Sequence, residues 1–201
     1  MRGESRRKPR LMLSVIIPTL NSDRVLVPTL AALVPGATAG LITEVLVADA
    51  GSQDETAAVA DIAGCNFVIV EGPLGRRLKA AAAAARAPWL MFLQPSTILD
   101  APWTGEVERF VQQPARYGQA AVFRRGGPSQ STLHEVALRL SALLGGLPRP
   151  EQGLLIASRF YAALGGHSER AAEPEQDLLR RIGRARTVRL ATNAFSPGVD
   201  T

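Results

Sequence analysis

Short apolar runs alternate along the first half of the chain with segments whose apolar residues recur at helical spacing. A short apolar run suits a buried strand, and helical spacing gives one apolar face. This alternation is typical of an α/β fold with a mostly parallel sheet and helices on both faces. The predicted strand and helix pairs are 11–17 with 22–33, 44–49 with 54–63, 66–71 with 75–86, and 89–94 with 104–113.

Two of the predicted strands run into an acidic residue. Residues 45–47 are apolar and lead to Asp49, and residues 68–70 are apolar and lead to Glu71. Ligands of open α/β sheets bind beyond the carboxyl ends of the strands, so both acids are candidate contacts. Helix capping is the alternative for Asp49, and a solvated loop position is the favoured interpretation of Glu71.

The second half has a different pattern. It predicts a strand at 119–124, a turn at 125–128 and an amphipathic helix at 131–144 whose apolar face continues to Leu147. Core packing is the commoner use of such a helix, and contact with a membrane surface is left open. Two short helices are predicted at 158–164 and 173–182, and a final strand at 187–191.

Length and composition favour one domain. The 201 residues are 46% hydrophobic and 20% charged, which is enough for one sizeable core. We expect a basic, disordered tail over 1–10 and a domain over 11–201, in which 11–100 is the α/β half of nucleotide-binding type and 101–201 is the second half. The uncharged run 25–43 contains prolines and glycines that would break a membrane span, so it predicts a helix followed by a turn.

Charge and cysteine content narrow the function classes. The chain has 23 Lys and Arg against 18 Asp and Glu, and much of the +5 net charge lies in the tail. The tail could bind nucleic acid or an anionic membrane surface, but a disordered solubilising extension is the favoured interpretation, and no nucleic-acid partner is expected. The single cysteine and two histidines form neither a disulfide nor a metal pattern, and no secretory signal is found. The expected location is the cytoplasm, with the inner face of the membrane left open.

Two N-terminal motifs carry a family resemblance. Residues 14–21 (SVIIPTLN) and 44–56 (EVLVADAGSQDET) resemble the first two motifs of family 2 glycosyltransferases with the GT-A fold. Gly75-Arg76, the strand at 89–93 and Leu164-Gly165-Gly166 extend the resemblance over nearly the whole chain. Glu151-Gln152-Gly153 resembles a subgroup of short bacterial members often found beside radical-SAM proteins. The resemblance implies a single GT-A-type (Rossmann-like) domain that moves a sugar from a UDP- or GDP-linked donor to a hydroxyl group with inversion.

The resemblance also implies a donor site at the carboxyl edge of the sheet. A turn directly after a buried strand would offer its backbone and the Thr19 hydroxyl to a nucleobase. In the family, the aspartate that matches Asp49 contacts the nucleoside. A glycine and a serine after Asp49 let the backbone pass close to a ligand. The expected donor-binding residues are Pro18, Thr19, Asn21, Asp49, Gly51, Ser52, Arg76, Gln94 and Ser96. Glu151 and Gln152 are expected on the acceptor side.

The metal motif departs from the family. Family members usually carry Asp-x-Asp or His-Ala-Asp at the end of the fourth strand, where this chain has Gln94-Pro95-Ser96. Mg²⁺ and Mn²⁺ need charged oxygen ligands, and Asp100 could supply one only through an unusual loop path. We therefore assign no metal ligand and leave a Mg²⁺ or Mn²⁺ cofactor open. Arg76, Arg77 and Lys79 could instead stabilise a leaving diphosphate.

The resemblance implies a general base as well. Matching Arg180-Arg181-Ile182 to the family's Leu-x-x-Arg-Leu helix puts Glu175 at the base position and Pro174 at its usually acidic neighbour. Glu173 and Asp177 are alternatives in a shifted register. A proline and acids at a helix start also have a purely structural explanation, so both interpretations stay open.

Other functions fit the chain less well. A degenerate module that binds a nucleotide-sugar or a partner without turnover is the main alternative, since both metal carboxylates and one acid are missing. A nucleotidyltransferase would need a metal site and a Gly-rich basic loop, and Gly75 alone is no phosphate-binding or dinucleotide fingerprint. The acceptor, lipid or glycan, is left open; for a lipid, the tail and residues 131–147 are the expected contacts.

Overall fold

The computed structural model describes residues 12–126 and 148–196. The basic tail and the helix expected at 131–144 lie outside these residues. The eight strands are β1 Leu13–Thr19, β2 Ile42–Asp49, β3 Asn66–Ile69, β4 Trp89–Phe92, β5 Ile98–Leu99, β6 Ala120–Arg125, β7 Leu154–Ala157 and β8 Thr187–Phe195. The α-helices are α1 Asp23–Thr38, α2 Thr56–Ile62, α3 Leu74–Ala84, α4 Trp103–Val111, α5 Ser158–Ala163 and α6 Pro174–Ile182, with 3₁₀ helices at Pro114–Gly118, Pro150–Gln152 and Arg184–Arg186.

All eight described strands form one sheet in the order β3-β2-β1-β4-β7-β6-β8-β5. The first four strands in that order are parallel, β7 is antiparallel to both of its neighbours, and β8 pairs parallel to β6. The expected α/β class with a mostly parallel sheet and helices on both faces is confirmed. The carboxyl ends of β2, β1 and β4 therefore lie side by side, where ligands of such sheets bind.

The central strands are apolar because they are covered on both faces. Every residue of β1 and of β4 is buried, which explains their continuous apolar runs. Pro18 is tolerated within β1 because the pairing with β4 ends at Ile16, so the missing N–H interrupts no ladder on that side. Among the described residues, no helix has the length and apolar character needed to cross a membrane.

Helix α1 corrects one sequence expectation. The predicted end is at residue 33, but the helix continues through Pro28 and Pro35 to Thr38. Packing explains the difference, because Trp103 fills the space beside Gly36 so closely that a Cβ there would lie 2.4 Å from the ring. The Trp103 indole also donates a hydrogen bond to the carbonyl of Ala32 at 2.9 Å. Tertiary contacts here outweigh the local cost of the prolines.

Three features of the strands differ from the sequence expectations. β7 and β5 have no predicted counterpart, and β8 extends to Phe195 rather than ending at residue 191. β5 has only two residues and exists through its pairing with β8. From residue 190 onward in β8, every second residue is buried, namely Leu190, Thr192 and Ala194. Because Thr192 is polar, the alternation of apolar and polar residues that would predict this part of the strand is interrupted.

Candidate active site

The carboxyl ends of β1 and β2 are joined by the side chain of Asp49, which is 1% exposed. Its Oδ1 accepts hydrogen bonds from the hydroxyls of Thr19 at 2.7 Å and Ser52 at 2.5 Å. Its Oδ2 accepts the backbone N–H groups of Gly51 at 2.7 Å and Ser52 at 2.6 Å. Burial acts to raise the pKa of Asp49, but these hydrogen bonds outweigh it and hold the pKa below its usual value. The carboxylate is therefore ionised, and its bonds fix the loops after both strands.

A second set of contacts joins the same two loops. The backbone N–H of Asn21 donates to Ser52 Oγ at 2.8 Å, and Asn21 Oδ1 accepts the N–H of Gln53 at 2.8 Å. Asn21 has a φ of 49°, a left-handed conformation that asparagine adopts more readily than most residues. The structure thus brings Thr19, Asn21, Asp49, Gly51 and Ser52 together, while Pro18 is buried within β1.

Arg77 is the cation that α3 directs to this edge. Its Nη1 donates to the carbonyl of Thr19 at 2.9 Å, and its buried Nε has no partner among the described residues. Burial lowers the pKa of Arg77, while the Asp49 charge acts in the opposite direction. Arg76, which the sequence favoured, is exposed and lies against Gly72. Helical spacing carries the signal that could have identified Arg77, because it lies three positions after the partly buried Leu74 and four before the buried Ala81 on α3.

The third strand end brings Gln94 to Glu175. Gln94 follows β4, and Glu175 lies in the first turn of α6. Gln94 Nε2 lies 2.7 Å from each carboxylate oxygen of Glu175. Burial raises the pKa of Glu175 to about 7, the hydrogen bond from Gln94 acts to lower it, and the charge of Glu151 raises it further. A carboxyl group with a pKa near neutrality is suited to accept a proton.

Glu175 faces a small cavity between α6, β4 and the segment before β7. Glu151 is exposed and its charge acts on Glu175, whereas Gln152 is buried and donates to the carbonyl of Phe123 at 2.7 Å. Gln152 therefore holds the segment in place and does not face the cavity. The lining residues are Phe92, Arg149, Pro150, Gly153, Leu154, His167, Glu175 and Leu179.

The other two candidate bases are placed differently. Asp177 pairs with Arg181 at 2.7 Å, and Glu173 is exposed before the first turn of α6. Arg181 also donates to the carbonyls of Leu164 at 2.6 Å and Gly166 at 2.7 Å. Arg181, paired with Asp177, thus fixes the turn at 164–166 to α6, and among the three acids only Glu175 lines the cavity.

His167 forms one wall of the cavity and is neutral. The Tyr161 hydroxyl accepts the backbone N–H of His167 at 3.0 Å and lies 2.9 Å from its Nδ1. The backbone and the ring of His167 are therefore both held by the Tyr161 hydroxyl. Burial lowers the pKa of His167 to about 3, assisted by the charge of Arg181. This buried position agrees with a structural role.

Gly75 allows α3 to touch the segment that carries Glu175. A Cβ at this position would lie 2.0 Å from the carbonyl oxygen of Ser168 and 3.1 Å from Pro174 Cβ. The absence of a side chain therefore lets the start of α3, with its arginines, pack directly on the start of α6.

The residues at the position of the family's metal motif do not fit a divalent cation. Gln94 directs an N–H donor at Glu175, and the hydroxyl of Ser96 bonds to that of Ser196. Asp100 accepts a hydrogen bond from Asn193 Nδ2 at 2.8 Å, in the corner between β5 and β8. Within residues 12–126 and 148–196, no group of three or more His, Cys, Asp or Glu side chains could hold a metal ion. Hard cations require several charged oxygens, which these residues do not present together.

Comparison with known proteins gives a family and a fold. The family model described as glycosyl transferase family 2 matches residues 14–141. No curated protein shows a significant match. Mycobacterium tuberculosis glucosyl-3-phosphoglycerate synthase has a similar structure, with a TM-score of 0.67 and 18% identity over 94% of this chain and 73% of that chain.

Two complexes share the fold. The same synthase in complex with Mn²⁺, UDP and glucosyl-3-phosphoglycerate gives a TM-score of 0.63 and 19% identity over 94% of this chain and 74% of that one. Residues 1–349 of S. aureus TarS in complex with UDP-GlcNAc give a TM-score of 0.67 and 16% identity, over 94% of this chain and 59% of that chain. At these identities the likeness shows a shared fold.

Proposed function

Because the chain belongs to glycosyl transferase family 2, we propose that it transfers a sugar from a nucleotide-sugar to an acceptor hydroxyl with inversion, with Glu175 as the general base. The observation that carries the proposal is the position of Glu175. It lies at the same sheet edge as the Thr19–Asp49 contact, lines a cavity and has a pKa raised to about 7.

The proposed donor site is the edge formed by β1 and β2. The loops joined by Asp49 and Asn21 present backbone groups to the nucleoside, and Gly51 and Ser52 allow close approach. Residues 11–100 would supply this donor site and residues 101–201 the acceptor side. UDP is the first donor nucleotide to test, since similar structures contain UDP and UDP-GlcNAc; GDP-sugars follow.

The proposed reaction is a single displacement. The acceptor oxygen attacks the anomeric carbon, the bond from that carbon to the diphosphate oxygen breaks, and Glu175 takes the hydroxyl proton. Negative charge then grows on the diphosphate, and nearby guanidinium groups can stabilise it. Arg77 is held at the edge and Arg76 is exposed beside it, so a metal-independent transfer is consistent with this arrangement.

The acceptor is proposed to bind beside Glu175. Glu151 and Arg149 line or border the cavity and are available to contact its hydroxyl groups. A lipid or a glycan would both offer such groups. A lipid acceptor would place the enzyme at the inner face of the membrane, with the basic tail as the contact.

The experiment is a transfer assay with two matched variants. We expect Glu175→Gln to abolish turnover of UDP-sugars while UDP binding persists, because the amide cannot accept the proton. Glu173→Gln, an exposed acid two positions earlier, should retain activity. Retention of turnover in Glu175→Gln would contradict the assignment. NMR of the product's anomeric configuration checks inversion.

One observation favours a second candidate, a module that binds a nucleotide-sugar without turnover. The end of β4 lacks the family's carboxylates, and Gln94 engages both oxygens of Glu175. This candidate predicts calorimetric binding of UDP-sugars by the wild type with no transfer to any acceptor and no hydrolysis.

A further inference from the structure

The segment after β4 holds Gln94 in a fixed orientation. The N–H of Leu93 donates to the carbonyl of Ile16 at 3.0 Å, and the N–H of Thr97 donates to the carbonyl of Gln94 at 3.0 Å. The carbonyl of Pro95 accepts the Thr29 hydroxyl of α1 at 2.8 Å. The backbone is therefore anchored on both sides of Gln94, and the contact with Glu175 sets the direction of its amide.

Glu175 is anchored from the opposite side. Pro174 is buried at the first turn of α6 and lies against the position of Gly75 in α3. Gln94 and Glu175 are 81 positions apart in the sequence, so their contact joins the donor half of the sheet to the helix that carries the base. Both side chains therefore reach their contact from anchored backbone positions.

The chemistry of the contact is that of a donor to a carboxylate. The two carboxylate oxygens can share an N–H of the Gln94 amide, and an amide oxygen at the same distance would repel an ionised carboxylate. The charged groups that border Glu175 are Glu151 and Arg149, and the neutral His167 faces the same cavity. Gln94 is thus the group that directly bonds the carboxylate without adding a charge.

We propose that Gln94 is a positioning residue that holds the Glu175 carboxylate toward the cavity through its amide and occupies the coordination position a divalent cation would need. This inference rests on the proposed function for the role of Glu175 as base. Its consequence is that the residue at the end of β4 orients the base and does not bind the donor diphosphate through a metal.

The test replaces the amide by a thioether of similar length. In Gln94→Met, Glu175 loses its donor, so its apparent pKa should rise by about one unit, read from ¹³C-carboxyl NMR of Glu-labelled protein. If the protein is an active transferase, kcat should fall at least about tenfold, while KM for the donor stays within about twofold of the wild type. The acidic limb of the plot of kcat against pH should move to higher pH. The side chain in Gln94→Asn is one methylene shorter, so its Glu175 pKa and its kcat should lie between those of the wild type and Gln94→Met.

The matched control is Gln112→Met at the end of α4. Gln112 Nε2 donates to Glu108 Oε1 at 3.0 Å, a glutamine–glutamate contact on an exposed helix face outside the cavity. It should leave both the Glu175 resonance and kcat unchanged. Melting curves of all variants check that the fold is retained.

A second arm uses Mn²⁺ as a paramagnetic probe. In Gln94→Glu two carboxylates would face each other, so Mn²⁺ should broaden the Glu175 resonance in this variant and leave it sharp in the wild type. Equal broadening in the wild type would overturn the proposal, because it would mean that a cation binds beside Gln94. An unchanged Glu175 pKa in Gln94→Met would also overturn it.

Failure of this inference is distinguishable from failure of the proposed function. The NMR titration needs no turnover, so a raised Glu175 pKa in Gln94→Met would support the positioning role even without activity. A wild type that shows no transfer would count against the proposed function. Activity that depends on Glu175 but is unchanged in Gln94→Met would overturn the positioning role alone.

Discussion

The titration of Glu175 gives the first prediction at the scale of a single residue. Its pKa is raised in the folded protein from 4.5 to about 7, so the folded state keeps a proton that the unfolded state has released. Stability therefore falls as pH rises from about 4.5 to 7, and the full cost applies above that range. Glu175→Gln lacks the charge and keeps a partner for Gln94. We expect it to be more stable than the wild type by about 3 kcal/mol at pH 8.

Urea unfolding at several pH values measures this effect. The advantage of Glu175→Gln should shrink toward zero near pH 4.5, where the wild-type carboxyl gains its proton in the unfolded state as well. Glu173→Gln, which changes an exposed acid, should follow the wild type throughout. A stability difference that does not vary with pH would contradict the raised pKa.

Gly75 gives a second prediction at this scale, in which sterics oppose helix propensity. Alanine is intrinsically better in a helix by about 1 kcal/mol, but its Cβ would lie 2.0 Å from a backbone oxygen, which cannot move as a side chain can. We expect Gly75→Ala to destabilise the fold by about 1–3 kcal/mol and to lower turnover, because α3 and α6 must separate.

Gly105 provides the matched control. It lies in α4, and a methyl group on its Cα would meet no described atom within 4 Å, so Gly105→Ala should stabilise the protein by up to about 1 kcal/mol. Thermal melts of both variants in one buffer make the comparison, and the prediction fails if the two substitutions shift the melting temperature in the same direction.

At the scale of elements, the attachment of α4 to β8 depends on one carboxylate. Glu106 accepts the N–H groups of Ala191 at 2.6 Å and Thr192 at 2.8 Å, and the Thr192 hydroxyl at 2.6 Å. Burial acts to raise the pKa of Glu106, but these bonds outweigh it and lower the pKa. The ionised Glu106 therefore stabilises the folded state at pH values above the ordinary pKa of a glutamate, and this stabilisation is lost as pH falls through the lowered pKa.

Glu106→Ala should destabilise the fold by about 2–3 kcal/mol at pH 7, because it leaves two backbone donors of β8 without their acceptor. Glu108→Ala on the same helix removes only the contact with Gln112 and should change stability by less than about 0.5 kcal/mol. Hydrogen exchange at Ala191 and Thr192 should accelerate in Glu106→Ala; protection equal to that in the wild type would show that other contacts hold the strand.

Local patterns predict the elements that are long or buried on both faces, and they fail where partners decide. The apolar run of β1 identifies that strand directly, whereas β5 exists only because β8 pairs with it. The predicted end of α1 is wrong because Trp103, far along the chain, packs against Gly36. These outcomes depend on contacts between distant segments, which a local pattern does not contain.

The same distinction applies to the site. Strand ends and turn residues predict that Thr19, Asn21 and Asp49 share one edge, and the fold brings them together. No local pattern joins Gln94 to Glu175, since that contact requires β4 and α6 to meet across 81 positions. Helical spacing can separate Arg77 from Arg76, but the bond from Arg77 to the Thr19 carbonyl requires α3 to pack beside the end of β1.

At the scale of the whole molecule, the fold joins the proposed donor edge to the helix that carries the proposed base, so nucleotide binding should stabilise the whole domain. A ligand at 100 times its dissociation constant adds about 2.7 kcal/mol to the free energy of unfolding. We expect UDP to give this stabilisation equally with Mn²⁺ and with EDTA, because the described residues at the edge present arginine and backbone groups and no metal-binding cluster. GDP in the same titration tests the choice of nucleobase, and UDP-sugars test whether the sugar adds contacts.

Stabilisation that appears only with Mn²⁺ would contradict the prediction, since it would require carboxylates that these residues do not bring together. Stabilisation by UDP without turnover of any UDP-sugar would favour the binding module over the transferase.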